Sequence, residues 1–375
     1  MSNARSDEPR GQGVLSRRAV VGATVGGVGA ATLVGVAAAA AWPDQTVVQG
    51  NGASATSTTP GGAPATDSGG KAFAVFDPNA MPKDDFKAAD PVLRPATAET
   101  TRTITITARE DVGEVAPGVT QMLWNFDGIV PGPTYRGRIG DRFNFTLKNE
   151  GTVGHSIDFH ASKVAPNVRM ATIQPGETLE YPFEAKHHGI YMYHCGTPPV
   201  LHHIGTGMYG ALIIDPPDLA PVDHEFIFVQ SEFYLGPEGQ PGDMNKMSNE
   251  QWDMVVFNGY ASQYVHRPIR VEPGQRIRAW VSDVGPSENC SFHVIGTIFD
   301  TVYKEGNYLL RPDSNKGGSQ ALDLQPAQGG FVEFTFDEVG LYPFATHKFA
   351  NPGKGALGVF QVGDVEPAAG GGSGH

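Results

Sequence analysis

Cysteine is scarce: the 375-residue chain holds two, Cys195 and Cys290. Two cysteines exclude a disulfide framework, and if one serves a metal as thiolate the other has no partner for a bridge. In its Asn289-Cys290-Ser291-Phe292 setting, Cys290 reads as a small buried apolar residue. Massed charge of one sign is missing as well. Lys and Arg total 27 against 40 Asp and Glu, and the resulting −13 is spread along the chain, which argues against a nucleic-acid partner. Helical periodicity is nearly absent; a short turn from Ser248 to Met254, with Ser248 as N-cap, is the clearest instance.

A long, strongly apolar run is also lacking. The Gly/Ala/Val stretch up to Ala41 is long enough for a bilayer but only weakly hydrophobic. It follows Ser16-Arg17-Arg18-Ala19-Val20-Val21, a twin-arginine pattern, and ends in an alanine run before Trp42. Residues 1–42 are therefore read as a Tat-type export signal, with an uncleaved anchor as the alternative, and the protein as extracytoplasmic. Residues 43–94 form a linker and lead-in, rich in Gly, Ser, Thr, Ala and Pro over 43–72, and residues 365–375 form a flexible tail.

What is abundant is β pattern. Thr103-Ile104-Thr105-Ile106-Thr107, Arg142-Phe143-Asn144-Phe145-Thr146-Leu147 and Phe331-Val332-Glu333-Phe334-Thr335-Phe336 alternate outward and inward residues between Gly/Pro/Asp/Asn breaks, as strands of β-sandwiches do. The chain also repeats itself. Phe126-Asp127-Gly128 with Arg138-Ile139-Gly140-Asp141-Arg142 returns as Phe257-Asn258-Gly259 with Val271-Glu272-Pro273-Gly274-Gln275-Arg276. Gly189-Ile190-Tyr191-Met192-Tyr193-His194 returns in Gly340-Leu341-Tyr342-Pro343-Phe344-Ala345-Thr346-His347. The expectation is an all-β protein of two tandem sandwich domains, 95–217 and 218–364, divided near the Pro-rich break at 216–223.

Metal-ligand chemistry gathers between positions 155 and 208: His155, Asp158, His160, His194, Cys195, His202, His203 and Met208. Two imidazoles, a thiolate and a weak axial thioether make a blue copper centre, and His155 with Cys195, His203 and Met208 supplies that set. The remaining histidines point to a second metal. In an extended chain neighbouring side chains face opposite sides, so the adjacent His194 and Cys195 serve two ions more readily than one, and the odd separation of His155 and His160 divides that pair likewise.

Trp124-Asn125-Phe126-Asp127-Gly128-Ile129-Val130-Pro131-Gly132-Pro133-Thr134 is similar to the opening signature of multicopper oxidase domains. His155-Ser156-Ile157-Asp158-Phe159-His160, His194-Cys195, His203 and Met208 resemble the first domain of copper-containing nitrite reductases. The resemblance covers essentially residues 95–363. It implies two cupredoxin-like Greek-key β-sandwich domains, a type 1 copper on His155, Cys195, His203 and Met208, and a type 2 copper on His160, His194 and His347. His203 is preferred to His202 because its five-residue step to Met208 matches the family loop. In the family the third type 2 ligand comes from the neighbouring subunit of a homotrimer. Nitrite reduction to nitric oxide by an external electron donor is the implied activity, with Asp158 as proton donor. The family's second relay histidine falls five residues after a histidine, where this chain has Ile298 following His293. Proton delivery then relies on Asp158, water or another histidine. Two alternatives stay open: a two-domain oxidase acting on another small substrate with dioxygen as acceptor, and an electron-transfer or copper-binding module without catalysis. A laccase-type trinuclear centre is disfavoured: its His-Cys-His run fails because Cys195 is followed by Gly196, and its His-x-His pairs fail because His224, His266, His293 and His347 of the second half stand unpaired.

Overall fold

The computed structural model describes residues 72–312 and 316–365; the expected signal segment 1–42, the expected linker up to residue 71 and the end of the expected tail lie outside them. Among the described residues no helix is long and apolar enough to cross a membrane.

The first half folds into eight strands: β1 (Thr101–Ala116), β2 (Val119–Phe126), β3 (Tyr135–Arg138), β4 (Arg142–Asn149), β5 (Asp158–Phe159), β6 (Thr178–Glu184), β7 (Gly189–His194) and β8 (Tyr209–Asp215). They form two four-stranded sheets, ordered β2-β1-β4-β6 and β3-β8-β7-β5. Period-2 alternation decides which residues meet between them. In β4, Phe143, Phe145 and Leu147 are buried while Arg142, Asn144 and Thr146 face the other side. Phe145 stacks on Phe159 with ring centroids 4.2 Å apart, and both join Ile106, Tyr181, Tyr193, Cys195 and Met208 in one core.

The second half repeats the plan with β9 (His224–Phe233), β10 (Met254–Phe257), β11 (Ile269–Val271), β12 (Arg276–Gly285), β13 (Cys290–Val294), β14 (Thr301–Lys304), β15 (Asn307–Leu310), β16 (Leu322–Leu324), β17 (Gly329–Thr335), β18 (Gly340–Thr346) and β19 (Leu357–Val362). Its sheets run β10-β9-β12-β17-β14-β15 and β11-β19-β18-β13-β16. The parallel β1–β4 and β3–β8 pairs reappear as β9–β12 and β11–β19. This is the all-β, two-sandwich architecture expected from the alternation and the repeat. The repeated Phe-Asp/Asn-Gly motif makes the same turn twice, with Asp127 and Asn258 both left-handed at φ 59° and 55°. Asp and Asn tolerate that region better than other side-chain-bearing residues.

Where the two sandwiches meet, strands are buried on both faces and lose their alternation. In β9, Phe226 and Phe228 enter the second core while Ile227 and Val229 pack with Ile190, Met192, Ala211 and Ile213 of the first sandwich. Arg136 ties the halves electrostatically, reaching Asp215 at 2.7 Å and Glu225 at 3.0 Å. The lead-in from residue 72 lies along the second sandwich through bridges Phe73↔Pro237 and Val92↔Phe226.

Candidate metal centres

Strand β7 separates two chemistries. Its odd-numbered side chains enter the first core and its even-numbered ones face the second sandwich, so Cys195 follows Tyr193 inward while His194 follows Met192 outward. Two donor clusters result, joined by the single peptide unit between His194 and Cys195.

In the inner cluster the donor atoms of His155, Cys195 and His203 lie within 4.8 Å of one another, and all three residues are buried. Met208 belongs to the same core, and its segment is fastened to the site by Cys195 N donating to Met208 O (3.1 Å) and Met208 N to His203 O (3.0 Å). The short helix Val200–Gly205 carries His203, whose Nδ1 lies 3.1 Å from Pro199 O. The Cys195 sulfur accepts from Ser156 N at 3.3 Å. Burial pushes the Cys195 thiol up, against the pull of the Ser156 and Thr197 amides. Burial pushes His203 down to about 4. His155 is also lowered, burial outweighing the hydrogen bond to Glu110. His155 Nδ1 is buried with no hydrogen-bond partner, a costly condition for a polar atom unless a ligand completes it. Two neutral imidazoles, one sulfur able to ionise and a nearby thioether fit copper.

The outer cluster holds Asp158, His160 and His194, again with donor atoms within 4.8 Å. His194 Nδ1 lies 2.9 Å from Cys195 O, which fixes the tautomer and leaves Nε2 bare. That Nε2 stands 3.0 Å from His160 Nε2, so two imidazole nitrogens converge on one point. Asp158 Oδ2 lies 3.9 Å from His160 Nε2 and 4.0 Å from His194 Nε2, while Tyr181 OH donates to its Oδ1 at 3.1 Å. Two converging imidazole nitrogens with a carboxylate beside them suit a second metal, and the exposure of His160 leaves room for a small ligand.

His347 is exposed and joins neither cluster within the chain. It lies instead beside His293, ring centroids 5.4 Å apart, and 4.5 Å from the ring of Phe349. His202 also stands outside the clusters: its Nε2 donates to Gly242 O in the second sandwich at 3.1 Å.

Two neighbours of these clusters, Trp124 and Glu110, have no role assigned by the sequence, and His293, beside His347, reads there as the family's earlier, structural histidine. Trp124 packs its ring 4.7 Å from both His202 and His203. Glu110 meets His155. His293 carries the most information: β13 pairs His293 with Ala345 as β5 pairs Asp158 with His194. Since Ala345 follows Gly340 by the interval at which His194 follows Gly189, His293 holds in the second sandwich the register of Asp158 in the first. Ile298, the position sought for a relay histidine, is an exposed side chain. The internal repeat was the signal that could have shown this register for His293.

Known proteins agree with this architecture. The Multicopper oxidase family profile matches residues 108–219. The copper-containing nitrite reductase of Neisseria gonorrhoeae is 39% identical over 261 residues, covering 66% of this chain and 65% of that protein. The chain thus spans slightly under two thirds of that relative's length. Among solved structures, a copper nitrite reductase from Nitrosomonas europaea is 34% identical with a TM-score of 0.64, covering 72% of this chain and 98% of that one. The chain belongs to the copper nitrite reductase and multicopper oxidase family. A copper-containing nitrite reductase from Thermus scotoductus, 29% identical over 70% of this chain and 62% of its own, gives the same TM-score of 0.64. Copper is the cofactor this family implies, and both donor clusters suit it.

Proposed function

We propose that this protein reduces nitrite to nitric oxide, taking one electron from an external donor and two protons and releasing water. His155, Cys195, His203 and Met208 are the residues that would hold type 1 copper. His160 and His194, with His347 from a neighbouring subunit of a homotrimer, would hold type 2 copper. Copper supplies a one-electron couple at the first position and an open coordination site for a small anion at the second.

The observation that carries this reading is the placement of Asp158, about 4 Å from the nitrogens of both His160 and His194 and tethered by Tyr181. A carboxyl held there reaches the oxygen of an anion seated against the two imidazoles and can hand it a proton. His293 takes the second proton-handling role in place of Ile298, supported by its contact with His347 and its repeat-related match to Asp158. The Cys195–His194 peptide offers the electron a short covalent route between the clusters. The exposure of His347 and of Phe349 beside it supports a subunit contact on this face.

The test is anaerobic stopped-flow on copper-loaded protein of confirmed metal content. The blue band is reduced, nitrite is mixed in, and an electrode records nitric oxide. Recolouring with matching nitric oxide is the expected result. A band that stays bleached until air enters would transfer the assignment to the oxidase reading. Sedimentation of the same sample should give the mass of a trimer; a monomer that turns over would refute the shared site.

A further inference from the structure

We propose that Glu110 is a positioning residue for the His155–Cys195–His203 centre, fixing the His155 imidazole so that its Nδ1 faces the other donors. This inference rests on reading that cluster as a copper site. Glu110 Oε1 lies 2.8 Å from His155 Nε2, with the histidine side chain fully buried and the glutamate 8% exposed. The carboxylate is itself restrained: Oε2 accepts from Thr152 N at 2.6 Å and Oε1 from Val153 N at 3.4 Å, in the loop that leads into His155. The glycine at 151 leaves room for it, since a Cβ there would collide with Glu110 Oε1. On the other strand of the β1–β2 pair, directly opposite Glu110, stands Trp124, whose ring lies 6.0 Å from that of His155.

A neutral imidazole has one N–H to give, and the two nitrogens cannot both carry it. With an anionic acceptor at Nε2 the proton sits there, and the Nδ1 lone pair is left free. That is the nitrogen found buried without a partner. A carboxylate in this position also makes the imidazole a stronger electron donor than a backbone carbonyl would, which favours the more highly charged state of a bound metal. Glu110 therefore acts on orientation and on redox poise through His155, and touches no reacting atom.

The decisive variant is Glu110→Gln, which keeps size and removes charge. One readout needs no metal: in ¹⁵N-histidine-labelled, copper-free protein, His155 should be the Nε2–H tautomer in the parent and a mixture in Glu110→Gln. In loaded protein the variant should bind copper at this centre about 10- to 100-fold more weakly and show a higher reduction potential of the blue centre. A merely structural glutamate would lower thermal stability without moving the potential. Should Glu110→Gln fail to fold, Gly151→Ala displaces the carboxylate without altering its charge and should raise the potential in the same direction. An Nδ1–H tautomer in the parent, or an unchanged potential and affinity in the folded variants, overturns the proposal. A parent protein with no blue band despite full copper loading would instead overturn the site reading beneath it.

Discussion

Copper uptake by the inner cluster should release one proton, and this can be measured as a slope. At neutral pH, burial keeps Cys195 as the thiol, pushes His203 down to about 4 and lowers His155, so only the sulfur must lose a proton to bind. The proton competes with the metal, and affinity falls as pH falls. A one-proton slope between pH 8 and 5 amounts to about 1,000-fold, or about 4 kcal/mol. Were His203 an ordinary exposed histidine, protonation below its usual pKa would weaken binding by a further ~1.5 log units at pH 5, about 2 kcal/mol. The assay is an anaerobic Cu(I) titration against a chromophoric chelator from pH 5 to 8, in a His160→Ala background that disables the outer cluster. Log affinity should rise by about one unit per pH unit near neutrality, and by no more than about two at the acid end, where His155 can add its own proton. A slope reaching three below pH 6.5, one thiol and two imidazole protons, would refute the claim that burial holds His203 near 4.

The same depressed pKa has a cost in the copper-free protein. Between about 4 and 6.5 the unfolded chain protonates His203 and the folded one does not, so stability is lost as pH falls, by about 2 kcal/mol from pH 7 to 5. Thermal melts of His203→Gln should show a correspondingly shallower decline over that interval; equal slopes would contradict it. On the proposed reaction, Asp158→Asn should lower nitrite turnover by about 10²- to 10⁴-fold while leaving the blue absorption intact. Unchanged turnover would remove Asp158 from the proton path. Arg136→Ala strips Asp215 of its partner where the sandwiches meet, while Glu225 keeps Trp280 Nε1 and Arg278, and should cost about 1–3 kcal/mol in chemical denaturation. A loss under about 0.5 kcal/mol would show that Asp215 needs no partner there.

Much of this protein could be read along one dimension because its rules are local. Strand alternation put Phe143, Phe145 and Leu147 on one face, and the same alternation separated His194 from Cys195 before any contact was known. The repeated Phe-Asp/Asn-Gly motif marked two equivalent turns because a left-handed residue limits which side chains fit. The count of metal donors between positions 155 and 208 indicated copper from ligand chemistry alone. Other features depend on which strands lie side by side. The importance of His293 follows from its pairing with Ala345, and counting five residues along the chain pointed to Ile298 instead. Glu110 reaches His155 only because the β1 strand and the loop after β4 are brought together by parallel pairing. His203, already preferred to His202 for its step to Met208, reaches the donors because one short helix turns it there and turns His202 to Gly242. Local sterics and side-chain chemistry act between neighbours in sequence and are legible there. Register and burial act between segments distant in sequence, and they alone decide which nitrogen is left unpaired and which carboxylate stands beside it.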